Sequence, residues 1–337
     1  IFAFARIENP DVSQLAILGL IALAVALSVG SYYLIEQPFR NKKRLTMKAF
    51  APAAAGATAV VLLVAGAAYV SDGLWGRYQD AELERLGAGD DRESYVEYAL
   101  AFAKTTRESD EFVDGDPGND LFMVGDSYGG DLLNALNEGG WLEGVEVLSH
   151  KISWDCHNVP ASADYAEHIE EESRAKCVDT VRVGDPSLSG RLRDAELVLL
   201  ASAWTEYATS QMDELVAAVE AETDAPVLVV GRKHFGRIDL EVLMEYSDEE
   251  FLATRQENAS HLELLGQVPE EVREKYLDLH RLLCGAQPSC PISTPEGQLI
   301  SYDGGHLTKE GAIHLAGLLG EDEGFTSLWN ATVLANQ

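Results

Sequence analysis

The sequence predicts an α/β fold, a three-layer sandwich with a parallel sheet, preceded by two transmembrane helices. Short apolar runs alternate with helix-compatible segments over the C-terminal two thirds of the chain. Such alternation favours a parallel sheet that is covered by helices on both faces. Two long uncharged apolar runs also lie within the first 70 residues. Runs of about 20 apolar residues are long enough to cross a bilayer core of about 30 Å.

The predicted strands are four short runs rich in Val and Leu, at residues 120–125, 145–148, 197–201 and 227–231. The clearest predicted helices are residues 128–136, 212–221 and 308–319. Residues 268–284 fit a helix and a short strand at 275–279 about equally well. In parallel sheets of this kind, the active site forms at the carboxyl ends of the strands.

The two predicted membrane spans are residues 12–35 and 49–70, neither of which contains a formal charge. Between them, the segment QPFRNKKRLTMK has five basic residues, so the positive-inside rule predicts that this loop is cytoplasmic. The second span then runs outward, and everything from about residue 71 is expected outside the cytoplasm. The alternative is a buried helical hairpin of a soluble protein.

The chain is strongly acidic, with 25 basic and 56 acidic residues among 337 and a formal net charge of −31. A surface this acidic repels phosphate backbones, so nucleic acid is not expected as a partner. The acidity is typical of adaptation for solubility or high salt. Residues 71–118 are polar and broken by Gly and Pro, which predicts a connector with one helix near 92–103. Because the chain begins at Ile1 without an initiator Met, we expect it to be part of a longer protein.

All four cysteines lie in the part of the chain that is predicted to be outside the cytoplasm. An even number in an oxidising compartment predicts two disulfides, for which three connectivities exist. We favour the pairs that are close in sequence, Cys156 with Cys177 and Cys284 with Cys290. A metal site is not expected, because the spacings do not follow the usual zinc pattern.

Two motifs carry possible chemistry. Gly125-Asp126-Ser127 follows the first predicted strand and opens a helix, where the Ser127 hydroxyl would be exposed and its N–H would point into the site. Asp303-Gly304-Gly305-His306 precedes the last predicted helix. A His and an Asp on such a turn can supply the base and the orienting carboxylate that a serine nucleophile needs. We therefore predict Ser127, Asp303 and His306 as catalytic residues, with Asp126 in a structural role.

These motifs resemble the SGNH hydrolase superfamily, over residues 119–319, which implies a flavodoxin-like sandwich. The stretch SYYLIEQPFR, residues 31–40, resembles the last conserved segment of the membrane acyltransferase-3 family. Together they are similar to the fused O-acetyltransferases that modify bacterial surface polysaccharides, including lipopolysaccharide. The resemblance implies a protein of the bacterial inner membrane whose soluble region, from about residue 71, lies in the periplasm.

The same resemblance implies five parts. Residues 1–48 would be the end of the acyltransferase-3 membrane domain with its cytoplasmic loop, 49–70 an additional transmembrane helix, 71–118 a periplasmic connector, 119–322 the SGNH domain and 323–337 a C-terminal tail. The upstream spans would pass on an acyl group from cytoplasmic acetyl-CoA. This region itself is expected to bind no cofactor.

The usual Gly and Asn donors of the SGNH oxyanion hole have no clear counterpart here. The corresponding strand end, LASAW at residues 200–204, looks like a variant of the fused family. We assign only the backbone N–H of Ser127 to the oxyanion hole. Trp204 is a candidate for stacking on a sugar ring, against the alternative that it is a core residue.

Three functions follow from this interpretation. The first is O-acylation, most simply O-acetylation, of a glycan through a Ser127 acyl-enzyme. Its expected partners are the glycan acceptor and the lipid bilayer. The second is a carbohydrate esterase or deacetylase that uses the same residues with water as acceptor. The third is a membrane-anchored glycan-binding module without catalysis.

Overall fold

The computed structural model describes residues 14–33, 37, 47–70, 97–98, 106, 112, 119–243, 245–257 and 263–333. The chain separates into two compact units, Ile1–Asp80 and Ala81–Gln337. Most of the predicted cytoplasmic loop, of SYYLIEQPFR and of the predicted connector lies outside the described residues.

Among its described residues, the first unit contains two helices, α1 at Gln14–Ser31 and α2 at Met47–Val70. Their Leu and Val side chains are largely exposed, as at Leu18 and Leu63. Pro52 lies inside α2, beyond its first turn, so its missing N–H removes one backbone hydrogen bond of the helix. Within the described part of the chain, no helix reaches the length and hydropathy of a membrane span. The two predicted spans stay a prediction.

The second unit is built on seven strands and ten helices within the described residues. The strands are β1 Asp120–Gly125, β2 Glu146–Lys151, β3 Leu197–Ala201, β4 Val227–Val230, β5 Arg255–Glu257, β6 Tyr276–Leu277 and β7 Ser289–Pro291. The helices are α3 Ser127–Glu138, α4 Arg174–Cys177, α5 Ser189–Asp194, α6 Glu206–Ser210, α7 Met212–Glu220, α8 Leu240–Leu243, α9 Asp248–Ala253, α10 Leu279–Cys284, α11 Lys309–Glu321 and α12 Glu323–Thr332.

Five strands form a parallel sheet in the order β2-β1-β3-β4-β6. Successive side chains of β1 point to opposite faces of the sheet, and residues of both sets are buried, so both faces of the sheet are covered. Leu121 and Met123 pack with α3 and α11, whereas Phe122 and Val124 pack with α7. The predicted α/β fold with a parallel sheet is therefore confirmed. If the five strands of this sheet are numbered among themselves, their order is 2-1-3-4-5, which is the order of flavodoxin-like sheets. In such sheets the ligand crevice lies where the strand order reverses, which here is between β1 and β3.

Residues 268–284 combine both alternatives that the sequence left open. A 3₁₀ turn at Glu270–Lys275 leads into the short strand β6, and α10 follows. The antiparallel pair of β5 and β7 was not predicted, because each strand has only three residues.

Helix α12 lies in the segment that the sequence analysis assigned to a tail. It belongs to the core, because Phe325 and Trp329 are buried and both lie edge-to-face against Trp141. Tyr98, from the predicted connector, also packs against this core, and its hydroxyl donates to Glu138 at the end of α3.

Both predicted disulfides are present, Cys156–Cys177 and Cys284–Cys290. The first holds the loop that follows β2, and the second joins the end of α10 to β7. Every cysteine of the chain is therefore paired.

Candidate active site

The turn that carries Ser127 is shaped by the two residues before it. A Cβ atom on Gly125 would lie 1.8 Å from the carbonyl oxygen of Ala201 in the neighbouring strand, so only glycine fits at the end of β1. Asp126 caps α3, because its Oδ1 accepts a hydrogen bond from the N–H of Tyr128 at 2.9 Å. Ser127 is thereby the first residue of α3, at the carboxyl edge of the sheet.

Asp126 also connects this turn to the loop after β3. Its Oδ2 accepts a hydrogen bond from the N–H of Ala203 at 2.8 Å. Burial raises the pKa of Asp126 to about 6, although the two backbone N–H donors and the positive charge of Lys233 act in the opposite direction. Both carboxylate oxygens are used for backbone contacts, which agrees with the structural role that the sequence predicts.

The turn that carries His306 depends on Asp303 and on a glycine. Oδ1 of Asp303 accepts from the N–H groups of Gly305 at 2.8 Å and His306 at 2.7 Å. Gly304 has φ +89°, and a Cβ atom there would lie 1.9 Å from the carbonyl oxygen of Gly236. Only glycine is compatible with both conditions. The turn thus places the Asp303 carboxylate and the His306 ring on the same side.

Ser127, His306 and Asp303 form an unbroken hydrogen-bonded chain. Nε2 of His306 lies 2.8 Å from Oγ of Ser127, and Nδ1 of the same ring lies 2.8 Å from Oδ2 of Asp303. Because an ionised carboxylate only accepts, Nδ1 carries the hydrogen and Nε2 of the neutral ring is free to accept the Ser127 proton. The three predicted residues therefore lie in the relative positions of a nucleophile, a base and an orienting carboxylate.

The surroundings of His306 and Asp303 shift the pKa of each side chain. Burial by itself would lower the pKa of His306, but the hydrogen bond to Asp303 and the negative charge of Asp131 outweigh it, so the pKa lies above its ordinary value. Burial would raise the pKa of Asp303, yet the hydrogen bonds from the His306 ring and from two backbone N–H groups lower it to about 2. Asp303 is consequently ionised at neutral pH.

The backbone N–H of Ser127 lies in the first turn of α3, where a helix provides no acceptor for it. It stays the one predicted donor for an oxyanion. Asn158 is a buried amide side chain that contacts the ends of β1 and β3. Its amide group donates to the carbonyl oxygen of Val124 at 3.4 Å and to Oγ of Ser202 at 3.0 Å. Both of its hydrogens are thus used, which argues against Asn158 as a second donor.

Trp204 does not line the site as predicted. Its side chain is 2% exposed, and its Nε1–H donates to the carbonyl oxygen of Val230 at 2.8 Å. A tryptophan in the core has no free face to stack on a sugar ring, so the prediction of a substrate contact is wrong and the core alternative is correct.

Two charged residues beside the site were not predicted. Lys233 follows β4, and its Nζ lies 2.6 Å from Oδ2 of Asp131 on α3, with both side chains buried. The sequence contained a weak signal for each. Asp131 follows Ser127 by four residues and is followed by two leucines of the same predicted helix. Lys233 comes just after the carboxyl end of a predicted strand.

Two groups of side chains of metal-ligating types come close together among the described residues: His280 with Cys284 and Cys290, and Asp155 with Cys156 and Cys177. Their cysteines are disulfide-bonded, whereas a metal requires the free thiolate. Neither group contains a residue of the Ser127 chain of hydrogen bonds.

A family model described as "SGNH domain (fused to AT3 domains)" matches residues 98–321. Among solved structures, the chain is similar to the periplasmic domain of a lipopolysaccharide acetyltransferase from Salmonella ser. Paratyphi A, with 14% identity, a TM-score of 0.46, and coverage of 71% of this chain and 98% of that one. No curated protein sequence matches significantly.

Proposed function

Because the chain belongs to the family of SGNH domains that are fused to AT3 domains, we propose that it is an O-acyltransferase that acylates hydroxyl groups of a glycan. Its catalytic residues are Ser127 as nucleophile, His306 as general base and acid, and Asp303 as the residue that orients the ring. The hydrogen-bonded chain through these three side chains is the observation that supports this most directly.

In the first half-reaction, Oγ of Ser127 attacks the carbonyl carbon of the acyl donor while its proton passes to Nε2 of His306. The Ser127 N–H stabilises the negative oxygen of the tetrahedral intermediate. Asp303 stabilises the imidazolium that forms, without taking its proton. His306 then returns the proton to the leaving group as the bond from carbonyl carbon to leaving group breaks, which leaves the acyl group as an ester on Ser127.

In the second half-reaction, a glycan hydroxyl takes the place of the leaving group. His306 removes its proton as the oxygen attacks the ester carbon. The bond from that carbon to Oγ then breaks, and Oγ receives the proton back from His306. The product is an acylated sugar and free Ser127. If water enters instead of the glycan hydroxyl, the same steps give an esterase.

Fusion to AT3 domains favours transfer over hydrolysis, because a hydrolase needs no acyl-supplying partner. We propose that the acyl group is acetyl, that acetyl-CoA supplies it to upstream membrane segments, and that α1 and α2 cross the bacterial inner membrane. The basic segment between these helices favours a cytoplasmic loop, and hence a periplasmic position for the soluble region.

A fluorophosphonate probe tests the nucleophile. Wild-type chain should be labelled, Ser127→Ala should not, and Ser187→Ala, a matched change at an exposed serine that contacts Asp185, should be labelled like the wild type. Absence of labelling in the wild type, or labelling that survives Ser127→Ala, would contradict Ser127 as the nucleophile.

The acceptor is tested by supplying an acetyl ester together with a saccharide. Acetylated sugar that increases with saccharide concentration is the result expected of a transferase. Free acetate alone, at every saccharide concentration, would identify an esterase and contradict the proposal of transfer.

A further inference from the structure

Lys233 and Asp131 form a buried ion pair that contacts the residues on either side of His306. Nζ of Lys233 and Oδ2 of Asp131 are 2.6 Å apart, and their side chains are only 1% and 0% exposed. The pair joins three separate parts of the chain: α3, the loop after β4 and the turn before α11. It is not part of the hydrogen-bonded chain through Ser127, His306 and Asp303.

The ammonium group of Lys233 is fully used. Besides Asp131, it donates to the carbonyl oxygen of Gly305 at 2.7 Å, and it lies 3.9 Å from the centre of the Tyr128 ring. Oδ2 of Asp131 also accepts from the N–H of Leu307 at 3.2 Å. The pair therefore holds the peptide group before His306 and the peptide group after it.

The remaining backbone groups of His306 are also held. Its N–H donates to Oδ1 of Asp303, and its carbonyl oxygen accepts from Oγ of Ser301 at 2.6 Å. The backbone of His306 is thus fixed by four hydrogen bonds. Of the residues that make them, only Asp131 lies on the same helix as Ser127. It follows Ser127 by four residues, so both lie on one side of α3.

We infer that Asp131 and Lys233 are positioning residues, a buried clamp that sets the distance between Ser127 Oγ and His306 Nε2. This inference rests on the proposed function, because it assigns a role in the reaction of Ser127. The clamp ties the helix of the nucleophile to the turn of the base. Besides the clamp, the helix and the turn are joined here by the Ser127–His306 contact itself and by the Tyr128 ring, which lies edge-to-face against His306.

The chemistry of the pair argues that stability is not its purpose. Removing two charges from water costs several kcal/mol per ion, and exchange of a buried pair for apolar side chains is often neutral or stabilising. Oδ1 of Asp131 is buried and has no hydrogen-bond partner among the described residues, so the pair does not satisfy all of its own polar atoms. A pair kept for the geometry of the site fits these observations better.

The two charges also act on His306 in opposite directions. The negative charge of Asp131 raises the pKa of His306, and the positive charge of Lys233 lowers it. Removal of both charges therefore leaves largely the loss of positioning, whereas removal of one changes the charge around the ring and leaves the other buried and unpaired.

The test uses the full chain with Asp131→Leu and Lys233→Met combined, so that no lone charge is buried. Its control, Glu270→Gln with Arg273→Met, removes an ion pair that is largely exposed and lies outside the site. The rate of inactivation by a fluorophosphonate is measured at saturating probe, together with the half-saturating probe concentration and the midpoint of urea unfolding. Misplacement of reacting groups by about 1 Å costs on the order of 100-fold in rate.

We expect the Asp131/Lys233 variant to react ~10–100-fold more slowly, with an unchanged half-saturating concentration. Its unfolding midpoint should stay close to that of the wild type, because the removal of two buried charges offsets the loss of partners for the Gly305 carbonyl and the Leu307 N–H. The control should match the wild type in all three. A wild-type rate in the Asp131/Lys233 variant overturns the inference, and so does failure of that variant to fold. A wild-type chain that does not react at all contradicts the proposed function itself.

Discussion

Oγ of Ser127 and Nε2 of His306 lie 2.8 Å apart, although 179 positions separate them in the chain. The contact forms because Ser127 follows the inner strand β1, whereas His306 lies on a turn held against the loop after β4. In that loop, the N–H of Phe235 donates to the carbonyl oxygen of Gly304 at 2.8 Å. The sheet thus brings the two ends of the domain together at one edge.

The first prediction concerns the carboxylate that orients the ring. In Asp303→Asn, the amide nitrogen can face Nδ1 and favour the wrong tautomer of His306, so the rate of acyl transfer should fall on the order of 10⁴-fold. The measurement is the rate of acylated-sugar formation at saturating donor. Asp179→Asn, at an exposed aspartate, is the control. A fall of less than tenfold would mean that Asp303 does not orient the base.

The second prediction is the pH dependence of acylation. The base must be neutral, so the rate rises as pH increases through the pKa of His306. That pKa lies above the ordinary value of about 6.5, mainly through the hydrogen bond to Asp303. The midpoint of the rise should therefore lie above pH 6.5, and Asp303→Asn should move it to lower pH. The measurement is the fluorophosphonate reaction rate between pH 5 and 9. A midpoint that Asp303→Asn leaves in place would contradict this origin of the shift.

Local patterns predicted most of the sheet and the three residues of the hydrogen-bonded chain. Strand β3 has the predicted bounds, because LVLLA is a continuous apolar run and the strand is buried on both faces. Asp303 and His306 could be found because they share one turn, and Ser127 because it follows a strand.

Long-range packing explains what was missed. The pairing of Lys233 with Asp131 joins residues 102 positions apart, and the weak local signal at each residue does not indicate that the two side chains pair. Trp204 follows Ala203, whose N–H contacts Asp126, but the Trp204 indole faces the core, which only the packed structure decides. Helix α12 looks polar in sequence. Its place in the core depends on the contacts of two aromatic residues, Phe325 and Trp329, with Trp141, which is distant in the chain.

The third prediction separates stability from substrate binding at Trp204. Trp204→Phe keeps an aromatic ring but leaves the carbonyl oxygen of Val230 without its donor, which costs about 1–3 kcal/mol. Trp204→Ala should cost about 3–5 kcal/mol. Both are measured by urea unfolding. The KM for the saccharide should not change in Trp204→Phe. A raised KM with unchanged stability would restore Trp204 as a substrate contact.

The fourth prediction compares the two disulfides. Cys156 and Cys177 are 21 positions apart, whereas Cys284 and Cys290 are six apart. Loop-closure entropy predicts that Cys156→Ala with Cys177→Ala costs about 3 kcal/mol, and that the shorter bridge contributes about 1 kcal/mol less. The measurement is the free energy of unfolding of each double variant. A larger loss from the shorter bridge would show that packing around α10 and β7 outweighs loop entropy.

The last prediction concerns the turn itself. In Gly304→Ala, the new methyl group meets the carbonyl oxygen of Gly236 at 1.9 Å, and φ +89° is unfavourable for alanine. The turn has to move away from the loop after β4, and His306 moves with it. We expect a fall in the fluorophosphonate reaction rate on the order of 100-fold, since a displacement of about 1 Å at the base has that effect.

The matched control is Gly317→Ala in α11, where a Cβ atom would meet no atom of the described residues within 4 Å. Alanine is favoured over glycine inside a helix by about 1 kcal/mol, so this variant should react like the wild type and unfold at equal or higher urea. If Gly304→Ala reacted as fast as Gly317→Ala, the position of His306 would not depend on the close approach of Gly304 to Gly236. The base would then be held by its side-chain contacts to Ser127 and Asp303 alone.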